Sequence, residues 1–355
     1  MSTPFSLELD VQYCPVLNFA MEQNDVPFIR SMSIANLGAE PVGPGLLRVT
    51  TSPESTLPLE IPLPCLAAGE MLELGTERVN PRILRDPLVR LEERERGELH
   101  LVVLGETGAE ELHQVLPFDL LAYNEWMGVG QLREILGAFV MPNHPTVETL
   151  MPVIVERLRE RTTQTALDGY QSQDRDYVRE QAAAVYEALA LQSLSYASPP
   201  PSFERTGQKI RTPDQIQATG VATCLDLAVL LAAMLEHVGL APFLLLKEGH
   251  AWVAVWLSDQ SFDEAVVPSA VALRTRCALG EVLAFEATGV ACSPPLPFAE
   301  ACARGLDHLR QVSSFQYALD VRMARRMGIR PMPARLRGDV SVLPSTPQAA
   351  SPEPT

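Results

Sequence analysis

Residues 223–235 read TCLDLAVLLAAML, and this stretch decides the fold of the second half of the chain. It is apolar nearly all round, and Gly239 follows where the glycine that ends a helix belongs. A helix that is hydrophobic on every face must be buried at the centre of a domain. Strand candidates follow at residues 243–246, 251–257 and 282–285. A buried helix laid on an antiparallel sheet predicts an α+β core.

The first 122 residues have a different pattern, in which short β-rich runs are broken by proline and glycine. The clearest runs lie at residues 29–34, 46–50, 59–63, 71–74 and 98–104. Strands at such spacing are typical of an antiparallel β-sandwich. We therefore predict a β-sandwich domain over residues 1–122. It contains no cluster of catalytic residue types, so we interpret it as a packing or recognition module.

The remaining residues complete the predicted division into domains. Apolar side chains repeat with a period near 3.6 at residues 146–161 and 176–191, which predicts two helices. These helices and the α+β core make a second predicted domain over residues 123–335. Residues 336–355 are rich in proline, serine and alanine and predict a disordered tail.

Composition excludes several classes of function. The 355 residues carry a formal net charge of −16, so phosphate backbones and anionic membranes should repel the chain, and we expect no direct nucleic-acid or membrane partner. A signal-peptide pattern and an apolar run of membrane-spanning length are both missing, which predicts a cytoplasmic protein. The six cysteines are scattered without a C-x-x-C pair, so we expect free thiols, no metal site and no cofactor.

Cys224 and His250 are the candidate reactive pair. Cys224 falls in the first turn of the predicted buried helix, where unpaired N–H groups and the positive end of the helix dipole favour a thiolate. A backbone N–H there can also face a developing oxyanion. His250 begins the strand at residues 251–257, and its imidazole could take the thiol proton and later protonate the leaving group.

A third group should orient the imidazole of His250. Glu286 ends the predicted strand at residues 282–285 and is the first candidate. Asp259 and Asp263 compete for the role, but they lie in a turn-like segment and should be solvated. Gln208 is a candidate oxyanion donor if its loop approaches Cys224.

Three motifs in chain order resemble those of the transglutaminase-like superfamily, a class of papain-like cysteine nucleophiles. They are TCLDLA at residues 223–228, GHAWV at residues 249–253 and FEAT at residues 285–288. The resemblance implies that Cys224 opens a helix, that His250 begins one strand, and that Glu286 takes the acidic position on the next strand. Aspartate is commoner than glutamate at that last position.

More closely, the chain is similar to the amino-terminal region of large bacterial superfamily I helicase–nuclease proteins linked to defence. The shared-looking stretches, besides the Cys and His motifs, are residues 124–126, 166–172, 207–213 and 329–331. The resemblance implies a β-sandwich followed by a transglutaminase-like domain, with partner proteins from a defence operon. Ala222 stands where these relatives tend to carry glycine. No G-x-x-x-x-G-K-[ST] motif occurs, so the chain has no such ATP-driven motor.

Two hypotheses for function follow. In the first, Cys224, His250 and Glu286 form the triad of a cysteine peptidase or amidase, or of an acyltransferase, which acts on a protein or peptide substrate. In the second, the domain is a catalytically inactive scaffold that binds a partner protein. Loss of a triad residue type would favour the second hypothesis, and none is lost, so we prefer the enzyme.

Overall fold

A computed structural model of the protein describes residues 7–334. It has a mixed α/β structure with several multi-stranded sheets, as the predicted α+β class requires. The predicted tail at residues 336–355 lies outside the described residues. Within residues 7–334, no helix is long and apolar enough to cross a membrane.

The first part of the chain forms two sheets, one with the strand order β1-β3-β6 and one with the order β2-β8-β7-β4-β5. The bounds of its elements are β1 (Leu7–Tyr13), β2 (Val16–Leu17), α1 (Phe19–Gln23), β3 (Ile29–Asn36), β4 (Gly45–Ser52), β5 (Leu59–Leu63), β6 (Met71–Gly75), α2 (Thr76–Val79), α3 (Arg85–Arg90), β7 (Glu95–Gly105) and β8 (Glu110–Leu120).

Alternation along the strands explains how these sheets build a core. In β7, Leu99, Leu101 and Val103 are buried, and in β4 Leu47 and Val49 are buried, because side chains two residues apart share one face of a strand.

Two details of the prediction for this part were wrong. The pairing is not antiparallel throughout, since β2 runs parallel to β8, and three short helices interrupt the strands. The first of these helices is fixed by Asn18, whose side chain accepts a hydrogen bond from the backbone N–H of Met21 and caps α1.

The second part of the chain is built around a five-stranded antiparallel sheet with the order β15-β17-β13-β14-β16. The bounds of its elements are β9 (Glu125–Trp126), a 3₁₀ helix (Arg133–Phe139), α4 (Pro145–Arg161), α5 (Arg175–Ala190), β10 (Ser195–Tyr196), α6 (Phe203–Thr206), β11 (Gln208–Lys209), α7 (Pro213–Thr219), β12 (Val221–Ala222), α8 (Cys224–His237), β13 (Pro242–Lys247), β14 (His250–Trp256), β15 (Val266–Val267), α9 (Ala270–Ala278), β16 (Val282–Phe285), a 3₁₀ helix (Thr288–Ala291), α10 (Phe298–Arg310), a 3₁₀ helix (Val312–Ser314), β17 (Phe315–Asp320) and α11 (Val321–Arg326).

Helix α8 lies at the centre of this part. Every residue from 224 to 235 is buried, as an all-apolar helix requires, and the helix packs on β13 and β14. Gly239 follows the helix with φ +84°, the left-handed conformation that favours glycine at this place. The opposite face of the sheet, which carries Trp252 and Trp256, is covered as well, by α9 and α10. The sheet is therefore buried on both faces.

The stretches at residues 124–126 and 329–331 each form hydrogen bonds with a segment that is distant in sequence. Asn124 donates from its side chain to the carbonyl oxygen of Ile210 (2.7 Å) and accepts from the Ile210 N–H with its own carbonyl (2.8 Å). At the other end of the described chain, Arg330 donates from its backbone N–H to the side chain of Asn24 (2.6 Å) and forms an ion pair with Asp25 (2.8 Å). The stretch at residues 329–331 is thus tied to the end of α1.

Candidate active site

Cys224 is the first residue of α8, and its position is fixed by a capping box. The Thr223 hydroxyl accepts from the Asp226 N–H (3.2 Å), and the Asp226 carboxylate accepts from the Thr223 N–H (2.8 Å). Arg211 pairs with the same buried carboxylate at 2.8 Å. These bonds join the 207–213 stretch to the TCLD motif, since Arg211 supplies the counter-ion for Asp226.

His250 and Glu286 come from neighbouring antiparallel strands. Val253 lies opposite Phe285 in the pairing of β14 with β16, so Glu286 follows β16 beside the first residues of β14. His250 Nε2 and Glu286 Oε2 are 2.8 Å apart. The structure therefore joins the predicted imidazole of His250 to the carboxylate of Glu286, the first candidate for the third group, by a direct hydrogen bond.

The Glu286 carboxylate is buried and all of its bonds stabilise the ionised form. Oε1 accepts from both the backbone N–H and the hydroxyl of Thr288, each at 2.8 Å. Burial by itself raises the pKa of Glu286, but the bonds from His250, His308 and Thr288 outweigh burial and hold that pKa far below its usual range. Glu286 is thus a fixed anion beside the imidazole.

The Cys224 thiol is the other group that acts on His250. Burial lowers the pKa of His250, but hydrogen bonds with Cys224 and Glu286 outweigh it and raise the pKa to about 9. Because Nε2 is bonded to Glu286, Nδ1 is the ring nitrogen left for the thiol. At neutral pH the site therefore favours an imidazolium between two groups that can carry negative charge.

The competing aspartates lie elsewhere. Asp259 forms an ion pair with Arg322, and Asp263 is exposed in the loop after β14. Gln208 lies close to the helix start, where its side-chain N–H₂ donates to the Thr223 hydroxyl at 3.3 Å. Its carbonyl Oε1 is buried without a hydrogen-bond partner. In this arrangement the amide N–H₂ of Gln208 is bonded to Thr223, the residue that caps α8, and does not point into an open substrate site.

His308 on α10 is the residue at this site that sequence reasoning missed. Its Nε2 lies 2.6 Å from Glu286 Oε2, and its Nδ1 lies 2.8 Å from Lys247 Nζ. The signal in the sequence was faint. His308 follows the buried Ala301 by seven residues, and this spacing shows only that both residues lie on the inner side of an amphipathic helix. Nothing in that pattern indicates a carboxylate on the facing strand.

Tyr196 is a second neighbour that the sequence did not reveal. Strand β10 runs parallel to β12 with Tyr196 opposite Ala222, which brings the phenol close enough to the Cys224 thiol for the two groups to interact. Burial, followed by the Cys224 thiol, raises the pKa of Tyr196 to about 12. Cys224 is 0% exposed whereas Tyr196 is 43% exposed, so Tyr196 is a neighbour of the buried thiol that reaches solvent.

A cavity of about 360 Å³ opens on the other members of the network. It is lined by Lys247, His250, Glu286, Thr288, Arg304, Asp307, His308 and Gln311. Cys224 does not line it. The imidazole and the carboxylate are therefore accessible from this side, and the sulfur is not.

His250, Glu286 and His308 also form a group of three potential metal ligands whose ligating atoms lie within 4.8 Å of one another. Their contacts are those of hydrogen bonds, since the N–O distances of 2.8 and 2.6 Å are shorter than the separation of about 3.4 Å between ligands of a tetrahedral zinc. Metal-bound histidines normally donate their second N–H to an acceptor, whereas His308 Nδ1 faces the donor Lys247. In this structure the three side chains form a hydrogen-bonded network with Lys247.

All six cysteines are free. Burial raises the pKa of Cys14, raises that of Cys277 to about 11 and raises that of Cys302 to about 12. These three side chains are therefore thiols at neutral pH and make poor nucleophiles. Cys65 is exposed and is the natural reference for ordinary thiol reactivity.

Comparison with known proteins yields little. No family model and no curated protein matches the chain. Among solved structures, an alkylpurine DNA glycosylase AlkC of Pseudomonas fluorescens, bound to DNA with an abasic-site analogue, is 16% identical, with a TM-score of 0.22, over 34% of this chain and 32% of that chain. A structural-genomics target, SoR45, is 11% identical (TM-score 0.20) over 34% of this chain and 90% of that one.

A family 76 glycoside hydrolase from a bovine Bacteroides thetaiotaomicron strain is 10% identical (TM-score 0.18) and matches over 52% of this chain and 33% of that one. This chain thus spans about a third of the length of the glycosylase and of the glycoside hydrolase. TM-scores this low support no statement about the fold or the function of this protein.

Proposed function

We propose that this protein is a cysteine-nucleophile enzyme of the transglutaminase-like class, with a β-sandwich ahead of the catalytic domain. It acts on an amide or related acyl bond of a protein or peptide substrate in the cytoplasm. The observation that carries the proposal is the 2.8 Å hydrogen bond between His250 and the ionised Glu286, together with the helix-start thiol of Cys224, which acts on the same imidazole.

In the proposed reaction, the Cys224 sulfur attacks the substrate carbonyl carbon and the carbon–nitrogen bond of the amide breaks. His250 carries the proton of the thiol and delivers it to the departing amine, which leaves a thioester on Cys224. Water then attacks the thioester in a peptidase or amidase, and a second amine attacks it in an acyltransferase. Glu286 keeps the imidazole oriented and stabilises its charged form.

The oxyanion of the tetrahedral intermediate would be stabilised by backbone N–H groups at the start of α8. Gln208 is the candidate side-chain donor because it already contacts the cap of that helix. Attack requires Tyr196 to move away from the thiol, since the sulfur is covered in this structure. We place the protein in a bacterial defence system with partner proteins on the strength of the sequence resemblance alone.

The burial of Cys224 favours a second candidate function. A triad whose sulfur never reaches solvent would be part of a rigid core, and the protein would then be a catalytically inactive module that binds a partner. The two candidates differ in one measurable property, the reactivity of Cys224 in the folded protein.

The test is to treat the native protein with a thiol-directed activity probe at neutral pH and to map the modified cysteines by mass spectrometry. The enzyme hypothesis expects Cys224 to be labelled faster than Cys65 in the native protein; this excess should disappear on denaturation and fall by a factor of about 100 in His250→Ala, which removes the base. Cys65 in the same sample is the internal control and should react equally in both proteins. Native protein that labels at Cys65 and never at Cys224 would establish the inactive module instead.

Once a substrate or a cellular activity is found, a double variant adds a second test. Cys224→Ala and His250→Ala should each abolish turnover, and their combination should cost little more, because residues that act as one catalytic unit are strongly non-additive. Full activity in a folded Cys224→Ala protein would refute the enzyme hypothesis.

A further inference from the structure

One oxygen of Glu286 is shared between two imidazoles. Oε2 lies 2.8 Å from His250 Nε2 and 2.6 Å from His308 Nε2, and the two rings are 4.7 Å apart. An ionised carboxylate oxygen can only accept, so both ring nitrogens must be donors. The imidazole of His308 therefore helps to hold the Glu286 oxygen that orients the imidazole of His250.

Lys247 determines which nitrogen of His308 carries the proton. Its ammonium group can only donate, and it lies 2.8 Å from His308 Nδ1 and 2.9 Å from Gln311 Oε1. Nδ1 must accept that bond, which leaves the ring proton on Nε2, where it faces Glu286. Lys247 is itself buried at the end of β13, so this donor has little freedom to turn elsewhere.

The approach of α10 to the sheet makes these contacts possible. Gly305 lies so close to β16 that a Cβ atom there would come within 2.5 Å of the Phe285 Cα. His308 is three residues further along the same helix, and its ring lies 5.2 Å from that of Trp252. The distance between His308 and Glu286 is thus set by helix–sheet packing rather than by a flexible loop.

We propose that His308 is a positioning residue of this site: its Nε2–H, directed by Lys247, holds the Glu286 carboxylate against Nε2 of His250. This role rests on the proposed function, in which His250 must keep and deliver a proton. His308 also separates two charges. Without its ring, Lys247 would keep only a neutral amide as its partner, and the negative charge of Glu286, which already acts on the pKa of Lys247, would attract the ammonium group.

The experiment follows ring nitrogen and carbon signals of the histidines by NMR in the full-length protein as pH is varied. In the wild type, His308 should show the Nε2–H tautomer and His250 should titrate near pH 9. His308→Leu removes the donor at similar volume, and the pKa of His250 should fall by about one unit, a tenfold loss of imidazolium at a given pH. His308→Gln retains an N–H donor and should leave the pKa of His250 within about 0.3 units of the wild-type value.

Three outcomes would overturn the inference. They are an Nδ1–H tautomer of His308 in the wild type, equal pKa values for His250 in His308→Leu and the wild type, and equal losses in His308→Leu and His308→Gln. The first is measured without any substitution, so misfolding of a variant cannot hide it. Labelling of Cys224 is measured separately: an unreactive Cys224 with the histidines still coupled would refute the enzyme and support the positioning.

Discussion

Replacing Glu286 with glutamine tests the site most directly. The amide has nearly the same shape as the carboxylate but carries no charge and brings an N–H₂ group. In the wild type, Oε1 accepts two bonds from Thr288 and Oε2 accepts bonds from His250 and His308. A glutamine must therefore turn its N–H₂ group toward donors on one side or the other, and a buried donor loses its partner whichever way it points.

The structure sets the size of the effect. The pKa of His250 is raised from an ordinary 6.5 to about 9, and interactions with both Cys224 and Glu286 contribute to this rise. We expect the pKa of His250 to fall by at least about one unit in Glu286→Gln, equivalent to about 1.4 kcal/mol. Loss of the charge-assisted bonds should lower the free energy of unfolding at pH 6 by about 2 kcal/mol.

The sign of the pH dependence follows from the two shifted groups. Glu286 has a lowered pKa, so its stabilisation is present above about pH 4.5 and is lost progressively as the pH falls below that value. His250 has a raised pKa, so its stabilisation is complete below about pH 6.5 and is lost as the pH rises through 9. The stability difference between wild type and Glu286→Gln should be widest near pH 5–6.5 and should narrow by pH 10.

The assay is urea unfolding at pH 6 and pH 10, together with NMR titration of His250. Glu300→Gln is the matched control, because it removes the same charge from an exposed position on α10, where Glu300 pairs only with Arg304. It should change the free energy of unfolding by less than about 0.5 kcal/mol at either pH. A stability difference for Glu286→Gln that is the same at pH 6 and pH 10, with His250 still titrating near 9, would refute the electrostatic reasoning.

Three further changes test other parts of the structure. Tyr196→Ala should raise the alkylation rate of Cys224 about tenfold at unchanged melting temperature, since it removes the cover from the thiol; an unchanged rate would show that something else shields the sulfur. Gly305→Ala should destabilise the protein by about 2 kcal/mol and lower the pKa of His250, because the new methyl group pushes α10 off the sheet. Gly43→Ala, with open space around it, is its control. Arg211→Met should cost about 2 kcal/mol in urea unfolding, because the buried carboxylate that caps α8 loses its counter-ion, and a wild-type midpoint would contradict that role.

Much of the second part of the chain could be predicted because its signals are local. An all-apolar helix has to be central, so residues 223–235 alone placed α8 in the core with Cys224 at its first turn. The strands at residues 242–247, 250–256 and 282–285 agree with the predicted runs within a residue or so. By contrast β17, which lies beside β13 inside the sheet, was not predicted, since its six residues form a short run that stands between helical segments, and a run of that length is ambiguous.

The sequence by itself determined the type of each reactive group and the element that carries it: a thiol at a helix start, an imidazole at the start of one strand and a carboxylate after another. Only the tertiary structure decided what surrounds them. Tyr196 lies beside the thiol because β10 pairs with β12, and His308 reaches Glu286 because Gly305 lets α10 approach β16. Both contacts join segments that lie more than 20 residues apart, and local patterns carry no information about such contacts, because helix–sheet packing and strand pairing create them.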